Sequence, residues 1–95
     1  MTYRLRFHEL ALTEWNKLDG SIKSQFKKKL AERLEQPRVK SSALSEMKDC
    51  YKIKLRQLGY RIVYRVDDDI VLVTVIAAGK RDKEKVYQEA EKRKK

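Results

Sequence analysis

The sequence is poor in the residues on which many enzymes and secreted domains depend. It has one cysteine, one histidine, one proline and three glycines in 95 residues. A lone cysteine excludes an internal disulfide and suits a reducing cytoplasm, so we interpret Cys50 as a small apolar residue at a strand start. No cysteine and histidine stand at zinc-ligand spacing. We therefore interpret His8, at a strand–helix junction, as structural or solvated rather than catalytic.

Long hydrophobic segments and nucleotide-binding motifs are also missing. The longest apolar run, 70–78 with Thr74 inside it, is too short to span a bilayer. Arg4, Arg6 and Glu9 interrupt the N-terminus, which argues against a signal peptide. The chain has neither a phosphate-cradling glycine loop nor a GxSxG nucleophile motif. We expect no membrane association, and we place the protein in the cytoplasm.

Positive charge is what the sequence has in excess. Lys and Arg number 24 against 14 Asp and Glu, which gives a formal net charge of +10. Such a balance favours a polyanionic partner, above all a nucleic acid. The length predicts a single domain over 1–95 with one modest core.

The pattern of apolar residues predicts the element order β-α-α-β-β-β-α, an α+β fold. We expect an antiparallel sheet with an αα-hairpin on one face and the helices packed on one side. Ser21 is a candidate N-cap of the second helix, and Asp82 of the last. The predicted segments are strands at 3–7, 51–56, 60–66 and 70–78, and helices at 9–18, 21–36 and 83–95.

Basic and apolar residues alternate along three of these strands. Because successive strand side chains point to opposite faces, one face is apolar and the other is cationic. A solvated face needs polarity but no single charge sign, so uniform charge indicates a polyanion. The cationic positions are Arg4, Arg6, Lys52, Lys54, Arg56, Arg61 and Arg65.

Three adjacent carboxylates, Asp67, Asp68 and Asp69, invite a metal-site interpretation. Aspartate is common in turns because it bonds to its own backbone, and neighbouring strand side chains diverge. We therefore predict no metal and no cofactor.

Cations and tyrosines alone can cleave RNA, because RNA carries its own nucleophile, the 2′-hydroxyl. The reaction needs in-line alignment, a base and positive charge opposite the developing phosphorane. The alternative is a solvated cationic face that only binds RNA or DNA phosphates. Composition by itself favours the binding interpretation.

Sequence motifs then shift this balance. They lie at 11–12, 14–15, 17–18, 27–30, 49–55, 59–61, 63–64, 79–81 and 86–87. Through these motifs the chain resembles the RelE family of bacterial toxins from type II toxin–antitoxin systems over nearly its whole length. The resemblance implies a small α+β toxin fold and a ribosome-dependent endoribonuclease (an mRNA interferase) that cuts messenger in the A site, leaving a 2′,3′-cyclic phosphate. It also implies a cognate RelB-like antitoxin, and repression of operator DNA by the pair.

The family's catalytic positions fall on five residues of this chain. By resemblance, Tyr87 is the general base, and Lys52 and Lys54 lower its pKa and hold the phosphate. Arg61 stabilises the transition state and Arg81 assists the leaving oxygen. We assign further RNA contacts to Arg4, Arg6, Arg56, Arg65 and Lys80.

The chain departs from the family in the loop before the second strand. Close relatives have Arg-Gly where this chain has Ser45-Glu46, and proline where it has Lys48. Loss of that arginine weakens expected RNA contacts, for which Lys40 or Lys48 could compensate. Two rival functions stay open: a non-catalytic RNA- or DNA-binding module, such as a degenerate toxin, and an RNase that acts on free RNA.

Overall fold

The computed structural model describes residues 2–80 and 85–93, and it has the predicted order of strands and helices. None of the described helices is long and apolar enough to cross a bilayer. A short 3-10 helix, Lys40–Ser42, interrupts the long loop before the second strand. The elements are β1 (Arg4–Phe7), α1 (Glu9–Asn16), α2 (Gly20–Glu35), β2 (Cys50–Leu55), β3 (Tyr60–Asp67), β4 (Leu72–Lys80) and α3 (Lys85–Arg93).

The sheet is mixed, so the prediction of a purely antiparallel sheet is wrong in one pair. Its order is β1-β4-β3-β2, with antiparallel β2–β3 and β3–β4 pairs. β1 lies parallel to β4 along its other edge. Alternating side chains specify which face of a strand is buried but not the direction of its neighbour. After β1 the chain crosses through α1 and α2, and this crossover allows a parallel return.

α1 and α2 cover one face of the sheet, as expected for the αα-hairpin. The Trp15 ring on α1 lies 5.3 Å from the Phe7 ring and 6.2 Å from the Phe26 ring on α2. These aromatic rings join the first strand and both helices. Beneath them the apolar side chains of β2, β3 and β4 complete the main core, which includes Ile53, Ile62, Tyr64, Val73 and Val75.

α3 packs on the opposite face, so the expectation that the helices share one side is wrong. Val86 and Ala90 belong to a second core cluster with Val63 of β3. A register shift between β3 and β4 places Ile76 and Ala77 in this same cluster, although they are consecutive. β4 is therefore buried on both faces and needs a second cover.

Polar residues cap the N-termini of α1 and α2. His8 is the N-cap of α1, and its Nδ1 accepts a hydrogen bond from the Leu10 N–H at 3.2 Å. That is the structural position expected for it. The prediction for Ser21 is wrong, since α2 has Asp19 as its N-cap and Ser21 Oγ donates to Asp19. Asp82 lies outside the described residues.

Arg38 joins three parts of the chain at the end of the sheet where β3 turns into β4. It pairs with Asp49 at 2.9 Å and Asp68 at 2.8 Å, and it donates to the Tyr51 hydroxyl. The Tyr3 hydroxyl also donates to Asp68, at 2.6 Å. Both hydrogen bonds lower the pKa of Asp68, and the one from Tyr3 has the larger effect. Within the described part of the chain, no group of three or more His, Cys, Asp or Glu residues could hold a metal ion.

Asp68→Asn should reduce the pH dependence of stability in acid. Because the folded pKa of Asp68 lies below its unfolded value, the carboxylate stabilises the fold above about pH 4. That contribution disappears as the pH falls through the folded pKa. Thermal midpoints between pH 6 and pH 2.5 should fall less steeply for the variant than for wild type. Asp69→Asn is the matched control, and equal slopes for Asp68→Asn and wild type would contradict the assignment.

Val71→Asn should stabilise the protein by about 1 kcal/mol, because Val71 has a left-handed backbone conformation with φ 54°. A β-branched residue is strained there, whereas asparagine tolerates it. The urea midpoint should rise at constant slope. Val39→Asn is the control, since the same half-buried residue type has φ −87° at that position. A lower midpoint for Val71→Asn would show that the valine side chain contributes more by packing than it costs in strain.

Candidate active site

Two neighbouring strands and a helix bring four of the five predicted catalytic residues together. Lys54 and Arg61 are directly opposite each other in the β2–β3 pair, and Lys52 lies two residues before Lys54. All three side chains therefore point to the face that α3 covers. α3 contributes Tyr87 from the far end of the chain, and all four side chains are half-buried. Arg81 lies outside the described residues.

The shortest contact in this group joins Arg61 to Tyr87. Arg61 Nη1 donates to the Tyr87 hydroxyl at 2.7 Å, and the guanidinium carbon lies 5.1 Å from the centre of the ring. The contact therefore fixes the orientation of the Tyr87 hydroxyl within the cluster and places a positive charge beside its oxygen.

The lysines beside this pair repel one another. The positive charge of Lys52 is the largest cause that lowers the pKa of Lys54, followed by partial desolvation and the charge of Arg61. An anion between these groups would relieve that repulsion. The cluster is therefore suited to bind a phosphodiester, which brings one negative charge to the shared surface.

All four of these side chains line an open groove of about 380 Å³. The loop before β2 forms its other wall, and Ser45 and Glu46, where the chain departs from the family it resembles, lie in that wall. Three further grooves meet the first one at Lys54. One is about 270 Å³ and includes Arg56 and Arg61, and another of about 280 Å³ runs along β2 past Arg33, Ser41, Ser42 and Arg56. The third, of about 410 Å³, extends past Arg56 to Gln25 and Lys29 of α2.

The residues predicted to bind RNA do not form one surface. Arg56 is exposed in the turn after β2 and borders the grooves at Lys54. Arg65 shares the face of Arg61, but Val63 lies between them and packs beneath α3. Arg6 is in the row of Arg65 across the sheet, with Arg4 beside it on β1, so both lie beyond α3 from the catalytic cluster.

Lys80 lies on the other side of the sheet. It is opposite Tyr60 in the strand pairing, and its amino group lies 5.9 Å from the centre of the Tyr60 ring. The sequence motif around Lys80 does not predict the face on which it lies, because a motif does not specify which way a side chain points.

Arg33 is a supporting residue that the sequence analysis did not single out. Its guanidinium donates to the Lys52 carbonyl at 3.2 Å, to the Tyr64 hydroxyl at 2.9 Å and to Ser42 Oγ at 3.1 Å. It therefore holds β2, beneath Lys52, against α2 and the long loop. The only sequence signal is that Arg33 lies off the apolar stripe of α2.

Comparisons with known proteins agree with this fold. A family model described as the ParE toxin of the type II toxin–antitoxin system parDE matches residues 5–83. The mRNA interferase toxin RelE of Escherichia coli K12 is 55% identical over 93 residues, covering 98% of each chain. The mRNA interferase RelE of Shigella flexneri matches equally well. The class of protein is thus a toxin of a type II toxin–antitoxin system.

Solved structures give the same result. A mutant of the Escherichia coli toxin RelE in the free state has a TM-score of 0.91 at 54% identity, covering 98% of each chain. RelE in the intact Escherichia coli RelBE toxin–antitoxin complex has a TM-score of 0.82 at 53% identity, covering 85% of this chain and 99% of that one. The chain belongs to the ParE/RelE family of toxins. The predicted resemblance is confirmed.

Lys52→Gln should raise the pKa of Lys54 towards the ordinary lysine value, because it removes the largest source of repulsion. The amino-group titration of Lys54, followed by NMR of side-chain carbon shifts, measures this directly. Lys28→Gln on α2 removes an equal charge at an exposed position and should leave the titration unchanged. An unaltered Lys54 titration in Lys52→Gln would show that the two ammonium groups do not interact.

Proposed function

We propose that the protein is an endoribonuclease toxin, an mRNA interferase that cleaves messenger through attack of the RNA's own 2′-hydroxyl. The contact between Arg61 and Tyr87 beside two repelling lysines is the observation that carries the proposal. The relatives named mRNA interferase RelE, at 55% identity over almost the whole chain, support it.

The four described residues supply most of what this reaction needs. The 2′-oxygen attacks phosphorus and forms the new P–O bond, while its proton passes to Tyr87, which enters this step as the phenolate and leaves it as the neutral phenol. Lys52, Lys54 and Arg61 oppose the charge that builds on the phosphoryl oxygens. The P–O5′ bond breaks, leaving a 2′,3′-cyclic phosphate. By its place in the family motif, Arg81 would neutralise the departing 5′-oxygen, which finally takes a proton from water.

Dependence on the ribosome is part of the proposal. The groove is open, with one wall made by a loop, so the protein itself constrains an RNA strand weakly. In-line attack needs the 2′-hydroxyl, phosphorus and 5′-oxygen aligned, and such alignment is a large part of the barrier. The ribosomal A site holds messenger in a defined path and would supply this alignment.

The further partners follow from the same family. The Escherichia coli toxin RelE has been solved with its antitoxin in the RelBE complex, and we propose a RelB-like antitoxin for this chain. A toxin of net charge +10 suits an acidic partner. We also propose that the pair binds its operator DNA and that the toxin acts in the cytoplasm.

One observation favours the rival function, a nucleic-acid-binding module without catalysis. Glu46 places a carboxylate in the wall of the groove that Lys52, Lys54 and Arg61 line. By the family resemblance, glycine preceded by arginine is expected there. A carboxylate there opposes a phosphate, and the missing arginine removes an attraction. A degenerate toxin would carry such changes. Lys40 and Lys48 are exposed, and whether either compensates stays a prediction.

Primer extension on messenger bound to ribosomes with an empty A site tests the proposal. Wild type should produce a discrete cut at the A-site codon and none on the same RNA without ribosomes. Tyr87→Phe and Arg61→Ala should each slow cleavage by about 100-fold or more, because a base and charge stabilisation contribute on that scale. Tyr3→Phe, which removes a hydroxyl far from the groove, is the matched control.

Three other results would lead to different conclusions. Binding to ribosomes with no cut under any condition would make the protein a binding module. Equal cutting of naked RNA would place it among RNases that act on free RNA. Full activity in Tyr87→Phe would reject the tyrosine as the base.

A further inference from the structure

We propose that Arg93, through its buried pairing with Glu14, is a positioning residue that fixes α3 so that Tyr87 meets Arg61. The kinetic part of this inference rests on the proposed function. Arg93 lies at the end of α3, six residues after Tyr87, and does not line the groove of the active site. Its role would be to set where that tyrosine stands.

The pairing forms where the sheet is incomplete. β1 ends at Phe7, opposite Val75, so β4 continues beyond it without a neighbouring strand on that side. There the Ala78 N–H donates to Glu14 Oε1 at 3.1 Å, and Arg93 Nη1 donates to the Ile76 carbonyl at 3.1 Å. Two side chains thus take the place of a missing strand, and they join α1, β4 and α3.

Arg93 is held by several contacts at once. Its Nη1 lies 2.8 Å from Glu14 Oε1, and its Nη2 lies 3.2 Å from Glu14 Oε2 and 3.0 Å from Glu89 Oε1. The Arg93 side chain is 7% exposed, whereas the Lys92 side chain next to it is 77% exposed. Glu14 raises the pKa of Arg93, so its charge is constant wherever the protein is folded.

α3 depends on this anchor because its other means of docking are few. It has nine residues, fewer than the 12 to 15 or so that an isolated helix needs in water. Val86 and Ala90 are its buried apolar side chains among the described residues, and Tyr87 is half-buried at the rim. Two small apolar contacts hold a short helix near the sheet but leave its tilt and rotation loosely set. A forked contact at its last turn removes that freedom.

A direct measurement asks whether the Arg61–Tyr87 contact needs Arg93. In NMR spectra of the free protein, wild type should show NOEs between the Arg61 side chain and the Tyr87 ring. Arg93→Met keeps a long side chain but removes the charge, and it should lose these NOEs. Lys92→Met, on the same turn, should keep them. Retention in Arg93→Met would overturn the inference, whether or not the protein cleaves RNA.

A kinetic cycle then tests whether Arg93 acts through Tyr87. We expect Arg93→Met to slow single-turnover cleavage on saturated ribosomes at least tenfold, and less than threefold when Tyr87 is already phenylalanine. Arg93→Lys should recover part of the lost rate, because a single ammonium can still reach Glu14. An equal loss with and without the Tyr87 hydroxyl would overturn the inference, since a residue that only stabilises the fold slows both backgrounds alike.

The controls separate misfolding and failure of the proposed function from failure of this inference. Amide shift dispersion and thermal midpoints establish that each variant is folded at the assay temperature. If Arg93→Met does not fold, Glu14→Gln takes its place, because the amide keeps an acceptor for Ala78 and loses the ion pair. If wild type shows no cleavage, the proposed function fails, and the NOEs still decide the positioning role.

Discussion

The burial of β4 on both faces is the constraint from which the rest of the arrangement follows. Its run from Val73 to Ala78 is apolar on both sides, apart from Thr74. Both faces of this strand must therefore be covered by other elements, and both of its edges need a neighbouring strand. α1 and α2 cover one face, and β1 and β3 flank its edges. The remaining face requires α3, and α3 carries Tyr87. A demand of packing therefore brings the tyrosine to the cations on β2 and β3.

The active site concentrates positive charge, whereas elsewhere in the fold arginines are paired with carboxylates. Lys52, Lys54 and Arg61 repel each other in the absence of an anion. Away from them, Arg38 pairs with two aspartates and Arg93 with two glutamates, so like charges are not concentrated there. Positive charge is thus neutralised at Arg38 and Arg93, which tie distant parts of the fold together, and left in excess at the groove.

How much the sequence predicts depends on how local each feature is. The hairpin of β2 and β3 is local, so alternation and a short turn sufficed to place Lys52, Lys54 and Arg61 on one face. The direction of β1 and the face chosen by α3 are long-range features, which periodicity does not specify. Arg65 and Arg6 share the predicted cationic face, yet α3 separates them from the cluster. The assignment of Tyr87 to the site came only from the family resemblance. The pattern of its helix is equally consistent with a tyrosine that packs the helix onto the sheet.

The edge of β4 shows why some functional roles escape both periodicity and motif. A strand edge left open by a short neighbour has unpaired backbone groups, and leaving them without partners is costly. Glu14 and Arg93 satisfy Ala78 and Ile76, although 79 positions separate the two side chains. In the sequence, Glu14 and Arg93 each look like an ordinary charged residue of a helix. Their common role arises only because β1 ends at Phe7, and a four-residue strand thus decides which residues must anchor the helix that bears the tyrosine.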